Sequence, residues 1–172
     1  MTFPDVTQPI REVSVSGIRL RFAAAHMATL GSVLEPLHGH NYVISVELEG
    51  ELTEDSWVWD FGDLKQLTKE IADTLDHKFI LQRESRILKI KESTTSWEIS
   101  YVDKQYVFPK SDVVALPIDN STAERIAEWF AEKLAESLSL REGKFTKLTV
   151  GIEEMPGQAG WYTLDMPASL TA

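Results

Sequence analysis

Three histidines in this 172-residue chain are spaced so that they could bind one metal ion. His38 and His40 are separated by a single residue, and residues i and i+2 of a β-strand project from the same face. His26 ends the preceding predicted strand on the corresponding face, so antiparallel pairing would bring the three imidazoles together. Three neutral imidazoles with an open fourth position are typical of catalytic zinc, whereas structural zinc has four protein ligands. We therefore predict a catalytic Zn²⁺ site.

A His-x-His pair alone is a weak signal, because such pairs also occur on surfaces and in cores. A cupin-like metal oxygenase uses the same pair, but it would require another histidine on a later strand. The sequence contains no histidine after His77. The third histidine, His26, therefore favours the zinc site over these alternatives.

Further candidate groups lie near the histidines in the sequence. Glu35 precedes His38 by three residues, which keeps its carboxylate within about 10 Å of the metal. It could act as a base or as a fourth ligand. Asp76 precedes His77 at the end of a predicted helix. This pair could be a carboxylate orienting an imidazole for acid–base chemistry, or His77 could be a cation at a helix C-terminus; spacing leaves both open.

Glu153 ends a strand of alternating apolar residues and falls on the opposite face from them, beside Glu154. Adjacent acids at a strand end are most often exposed to solvent. A buried one could bind a planar, guanidine-like group through both carboxylate oxygens.

The composition narrows the class of protein. The chain has no cysteine, which excludes disulfides, thiolate metal sites and a cysteine nucleophile. Its formal net charge of −10 argues against a nucleic-acid-binding surface. No window approaches the roughly 20 apolar residues that span a bilayer, and the N-terminus lacks the layout of a signal peptide. We expect a cytoplasmic protein with a single domain over residues 1–172.

The predicted elements form an α+β layout, with helices covering one face of an antiparallel sheet. Alternation predicts strands over 12–25 and 38–49, with Arg19 and Arg21 on the polar face of the first. Apolar residues at spacings of three and four predict a helix over 60–75. A second helix starts at Ser121 with a capping-box sequence, and strands follow at 147–153 and 161–166. Residues 83–119 are expected to form a peripheral insertion containing a β-hairpin.

Several sequence blocks resemble the 6-pyruvoyltetrahydropterin synthase family, which includes the 6-carboxytetrahydropterin synthases. The blocks occur in the family's order and cover most of the chain outside the insertion. They are FAAAH at 22–26, HGHNY at 38–42, DFGDLK at 60–65, LDH at 75–77, STAE at 121–124 and VGIE at 150–153.

The resemblance implies the tunnelling fold, a four-stranded antiparallel sheet with two helices on one side. Subunits of this fold form trimers, often paired as hexamers, with active sites between subunits. The three histidines would bind zinc, which chelates side-chain hydroxyls of 7,8-dihydroneopterin triphosphate. Glu153 would anchor the amino-pyrimidine edge of the pterin with help from Thr122. Asp76 and His77 would form an acid–base pair.

One departure from the main family type affects the expected reaction. Those members have a catalytic cysteine shortly before the HGH motif, and this chain instead has Glu35 in the sequence EPLHGH. It resembles a variant branch associated with cleaving the side chain to 6-hydroxymethyl-7,8-dihydropterin, a folate precursor. The alternatives are a 6-pyruvoyl or 6-carboxy product (tetrahydrobiopterin or queuosine pathway), or a pterin-binding homologue without turnover.

Overall fold

The computed structural model describes residues 10–166, which form a curled mixed sheet, two α-helices, a short 3₁₀ helix (Lys110–Asp112) and two small sheets. The α-helices are α1 (Phe61–Leu75) and α2 (Ala123–Leu138). The strands are β1 (Glu12–Val15), β2 (Arg21–His26), β3 (Thr29–Leu30), β4 (Val33–Leu34), β5 (His38–Gly50), β6 (Lys78–Gln82), β7 (Lys89–Glu92), β8 (Ser96–Tyr101), β9 (Lys104–Pro109), β10 (Val113–Leu116), β11 (Phe145–Met155) and β12 (Gln158–Asp165). Neither helix in this part of the chain is long and apolar enough to cross a membrane.

Strand β5 is the centre of the main sheet, whose order is β10-β6-β2-β5-β11-β12. Both β1 and β2 pair antiparallel with β5, β1 near its C-terminal end and β2 near its N-terminal end. The predicted continuous strand over 12–25 is therefore interrupted between them. Gly17 lies in this interruption with φ +110°, a conformation that L side chains rarely adopt.

Two further strands enlarge the sheet beyond the four antiparallel strands that the sequence predicts. Strand β6 pairs in parallel with the end of β2, and β10 pairs in parallel with β6. Both are short, largely apolar runs, and periodicity alone does not decide whether such a run is a strand or part of a buried helix. They place the C-terminal end of α1 and the insertion beside β2, the strand that ends at His26.

Both helices pack their apolar stripes on the same face of the sheet. Helix α1 begins as predicted, since the Asp60 carboxylate caps it by accepting a 2.7 Å hydrogen bond from the Asp63 N–H. Helix α2 is capped by Thr122 rather than by Ser121. Ser121 is fully buried and its carbonyl accepts a hydrogen bond from His26. The predicted capping box is therefore wrong by one residue.

The main core lies between the helices and the sheet. It contains the buried apolar residues of β2, β5 and β11 together with those of α1 and α2. The fully buried side chains from the central strands are Tyr42, Ile44, Val46, Leu48, Leu148, Val150 and Ile152. This packing fixes which face of β2 and β5 looks toward the helices, and His26 lies at the end of that face.

The insertion forms a three-stranded sheet, β7-β8-β9, rather than a hairpin alone. Trp97 and Ile99 of β8 are buried in a second apolar cluster with Met27 and Leu34. The Tyr101 hydroxyl also donates a 2.6 Å hydrogen bond to the Ser32 carbonyl. The insertion therefore packs against the loop between His26 and His38, the loop that carries Glu35.

Candidate active site

The three histidines converge because of the strand register. In the β2–β5 ladder His26 lies directly opposite His38, and Ala24 lies opposite His40. Their ligand-type nitrogen atoms all lie within 4.8 Å of one another. Gly39 permits this close pairing, since a Cβ there would meet the Ala24 carbonyl oxygen at 2.7 Å. The predicted convergence of His26, His38 and His40 is confirmed.

Hydrogen bonds to backbone carbonyls fix the imidazole tautomers. His26 Nδ1–H donates to the Ser121 carbonyl, and His38 Nδ1–H donates to the Pro36 carbonyl, both at 2.8 Å. A carbonyl can only accept, so in the neutral rings each Nε2 keeps its lone pair. These two Nε2 atoms lie 3.1 Å apart.

This donor set fits a metal ion. Two facing lone pairs repel unless a cation lies between them, and nitrogen ligands of tetrahedral zinc are about 3.3 Å apart when Zn–N is about 2.0 Å. Ligating histidines also typically donate their second N–H to a carbonyl or carboxylate. The three histidines can therefore hold a metal with room for substrate oxygen atoms.

Burial keeps His26 neutral. Its side chain is 2 % exposed, and this burial lowers its pKa to about 4, although the hydrogen bond to the Ser121 carbonyl acts in the opposite sense. The neighbouring His38 and His40 lower the pKa further. A neutral imidazole is the form that binds a metal.

Acid is expected to destabilise the metal-free protein as the pH falls from 6.5 toward about 4. In this window the unfolded chain protonates His26 and the folded protein does not, so the unfolded state binds more protons. The free energy of unfolding therefore decreases as the pH is lowered, by up to about 3 kcal/mol. Urea unfolding of chelator-treated protein across the window measures this loss.

The matched control is His26→Gln, which removes the titration. Burial raises the pKa of Glu154, and this shift gives the opposite pH dependence of stability. Wild type and His26→Gln are therefore compared at each pH, because both contain Glu154. Equal pH slopes for wild type and His26→Gln would contradict the assignment.

A pocket of about 430 Å³ opens beside the histidines. Glu35 and Thr122 both line it, so the structure brings these two predicted residues together with His26, His38 and His40. Glu35 is half-buried and Thr122 caps α2 at the pocket wall. Glu124 and Glu154 line the same pocket, which therefore carries three carboxylates around the histidines.

The structure places Glu154 rather than Glu153 in this pocket. The Glu153 carboxylate accepts a 2.7 Å hydrogen bond from the Gly157 N–H in the turn between β11 and β12. Glu154 is half-buried, and burial raises its pKa while His40 and His38 act in the opposite direction. A carboxylate in this setting is placed to accept hydrogen bonds from a ligand that enters the pocket.

The loop that carries Glu35 is held at several points. The Asn120 side-chain amide bonds both the N–H and the carbonyl of Thr29, each at 2.8 Å. The buried Gln82 donates a 2.7 Å hydrogen bond to the Met27 carbonyl. With the Tyr101 bond described above, these contacts fix the chain between β2 and β5.

Asp76 and His77 form a hydrogen-bonded pair at the end of α1. One Asp76 oxygen accepts from the Ala23 N–H at 2.7 Å, and the other lies 2.9 Å from His77 Nδ1. The backbone bond to Ala23 is the main cause of the lowered pKa of Asp76. The His77 imidazole is 83 % exposed and follows the helix with φ +57°. This geometry is that of a carboxylate orienting an imidazole.

Asp76 and His77 line a cavity that the three histidines do not line, although His77 and His40 both line a third pocket beside the ends of β2 and β5. Ala23, which binds Asp76, lies three residues before His26 on β2, a separation of about 10 Å along a strand. The pair therefore does not contact the histidines within the described part of the chain.

Comparison with known proteins identifies the class that this fold and site define. The profile of the 6-pyruvoyl tetrahydropterin synthase family matches residues 17–165, and the chain belongs to this family. The family relationship predicted from the sequence blocks is confirmed.

Individual relatives agree with this assignment. The chain is 36 % identical over 145 residues to a putative 6-carboxy-5,6,7,8-tetrahydropterin synthase of Methanocaldococcus jannaschii, covering 83 % of this chain and 89 % of that protein. It is 28 % identical over 120 residues to a dihydroneopterin monophosphate aldolase of Pyrococcus furiosus, covering 70 % and 74 %.

Among solved structures, the 6-pyruvoyltetrahydropterin synthase of Plasmodium vivax superposes with a TM-score of 0.86 at 33 % identity, covering 92 % of this chain and 99 % of that one. The same protein has been solved with a glutamate, described as its catalytic residue, replaced by alanine. This likeness confirms the α+β tunnelling fold.

Proposed function

We propose that this protein is a zinc-dependent lyase that acts on the side chain of 7,8-dihydroneopterin triphosphate and releases 6-hydroxymethyl-7,8-dihydropterin. The observation that carries this proposal is a three-histidine cluster that shares a pocket with Glu35 in a chain without cysteine. Consumption of dihydroneopterin triphosphate by the zinc-loaded protein, and its loss on chelation, tests the proposal.

His26, His38 and His40 would hold the zinc ion, leaving a position for substrate oxygen. When bound, zinc would polarise the side-chain hydroxyls of the pterin and acidify their protons. The backbone bonds of His26 and His38 keep their Nε2 lone pairs directed at this position.

Glu35 is the proposed base. Its carboxylate would take the proton of a side-chain hydroxyl, after which the adjacent carbon–carbon bond breaks. The deprotonated oxygen becomes the carbonyl of a phosphorylated two-carbon aldehyde, which leaves. The carbon that stays on the ring receives the electron pair of the broken bond and takes up one proton, which balances the proton that Glu35 removed. It keeps its own hydroxyl and so becomes the hydroxymethyl group. The name of the Pyrococcus furiosus relative, an aldolase of dihydroneopterin monophosphate, supports this type of cleavage.

Glu154 and Thr122 are the proposed pterin contacts. The amino-pyrimidine edge of a pterin presents two N–H donors side by side, which suits a carboxylate that accepts both. Glu154 lies in the histidine pocket, so it replaces Glu153 in this role.

Glu154→Gln is expected to raise KM for the pterin about 10-fold to 100-fold, since hydrogen bonds to a charged group contribute roughly 1.5–3 kcal/mol. Steady-state kinetics measures the effect. The matched control is Glu153→Gln, which can still accept from Gly157. A larger effect from Glu153→Gln than from Glu154→Gln would restore the sequence-based assignment.

The proposed assembly is a trimer, or a hexamer of two trimers, with the active site between subunits. In the described residues β12 pairs only with β11 and β1 only with β5, so each has one free edge for a neighbouring copy. Closure of these edges into a barrel would remove exposed backbone donors. A neighbouring copy could then supply its Asp76–His77 pair to the histidine pocket.

A second candidate function is 6-carboxytetrahydropterin synthase. The name of the Methanocaldococcus jannaschii relative favours it. The two functions share zinc and substrate and differ in the oxidation level of the side-chain carbon that stays on the ring, so the identity of the pterin product distinguishes them.

A further inference from the structure

A second cavity, of about 1210 Å³, lies beside the Asp76–His77 pair and shares no lining residue with the histidine pocket. Four cationic side chains line it. Arg19 and Arg21 reach it from the turn before β2 and from β2 itself, and Lys65 and Lys69 reach it from α1. Because residues i and i+4 share a helix face, the two lysines lie side by side on α1. We call this cavity the cationic cleft.

The charges of the cationic cleft contrast with those of the whole chain. The formal net charge of the protein is −10, yet Asp76 is the only acidic residue among those of 10–166 that line the cleft. Both oxygens of Asp76 are occupied, by the Ala23 N–H and by His77. A concentration of positive charge in a concave site attracts anions.

The arginines of the cleft are available for a ligand. Within residues 10–166, Arg19 and Arg21 form no hydrogen bond or ion pair through their side chains, whereas Arg125 and Arg141 both bind carboxylates. Lys65 lies 6.0 Å from the centroid of the Phe61 ring, and Lys69 is paired with Asp73. Guanidinium groups bind phosphate oxygens through paired N–H donors.

We propose that the cationic cleft binds the phosphate chain of the substrate, with Arg19 and Arg21 as its principal contacts. The identity of the ligand rests on the proposed function, but the cations and the cavity do not depend on it. Phosphates held here would lie beside His77 and would leave the uncharged part of the substrate outside the cleft.

Binding of inorganic tripolyphosphate, measured by calorimetry, tests the cleft directly. We expect the double variant Arg19→Ala/Arg21→Ala to bind at least about 10-fold more weakly than wild type. The matched control is Arg83→Ala/Arg86→Ala, an exposed arginine pair that does not line this cleft and is expected to bind as wild type does. Equal affinity of wild type and the Arg19/Arg21 variant would overturn the proposal, whether or not the protein turns over a pterin.

Steady-state kinetics provides a second test of the proposal. The same variant is expected to raise KM for dihydroneopterin triphosphate at least about 10-fold with little change in kcat. It should leave KM for dihydroneopterin without phosphates unchanged. An equal rise in KM for both pterins would overturn the proposal, because it would assign the arginines to the pterin rather than to the phosphates.

Discussion

Replacing His38 by alanine is expected to remove the metal and the activity together. Substituting a residue that merely orients a metal ligand typically costs about 10-fold to 100-fold in metal affinity. Loss of a ligand itself should therefore lower the zinc affinity more than about 100-fold. His38 is more exposed than His26, so the fold should survive the change. Zinc content after dialysis, together with turnover, measures both effects.

The matched control for His38→Ala is His77→Ala. His77 lines the cationic cleft rather than the histidine pocket, so this variant should keep its zinc. It should nevertheless turn over more slowly if Asp76 and His77 transfer protons. Full zinc retention by His38→Ala would contradict the metal assignment, since two histidines would then suffice.

Replacing Glu35 by glutamine is expected to have the opposite combination of effects, with zinc retained and kcat lowered about 10²-fold to 10⁴-fold. This range is typical for the loss of a general base. Glutamine keeps the size of the side chain and removes its ability to take a proton. Metal analysis and single-turnover kinetics of the zinc-loaded variant measure the two effects separately.

Glu132→Gln on the exposed side of α2 controls for a general effect of removing one carboxylate. If Glu35→Gln lost zinc, Glu35 would be a fourth metal ligand rather than a base. Full turnover with zinc retained would remove Glu35 from the mechanism.

The histidine cluster was predictable because it depends on two regular features of strands. Alternation puts His38 and His40 on one face, and pairing of consecutive strands brings His26 beside them. Glu35 followed from its short tether to His38. Spacing alone leaves the acid–base pairing of Asp76 and His77 open, and the hydrogen bonds that Asp76 forms with the Ala23 N–H and with His77 favour it.

Glu154 was missed although the sequence contains the signal. Leu148, Val150 and Ile152 are buried against the helices, and continuing this alternation reaches Glu154 rather than Glu153. The β11–β12 register changes between Glu153 and Met155, so the end of the strand is irregular. The alternation of buried residues along β11 therefore identifies the glutamate that lines the pocket better than the match of the VGIE block does.

The packing of the insertion depends on contacts between residues that are distant in sequence, and the cap of α2 depends on which of two adjacent hydroxyls is used. Strand β7 is largely polar, with Ile90 as its single apolar residue, so alternation could not reveal it. The bond from Tyr101 to Ser32 joins residues 69 positions apart. Ser121 and Thr122 are both good caps, and the Thr122 hydroxyl is the one that accepts from the Arg125 N–H.

The most direct test of the account is mass spectrometry of the products formed from dihydroneopterin triphosphate by the zinc-loaded protein. We predict 6-hydroxymethyl-7,8-dihydropterin and a phosphorylated two-carbon aldehyde, formed by wild type and absent with chelated protein or His38→Ala. A 6-pyruvoyl or 6-carboxy pterin would contradict the proposed product. An unconsumed substrate would contradict the proposal that the protein is a pterin lyase.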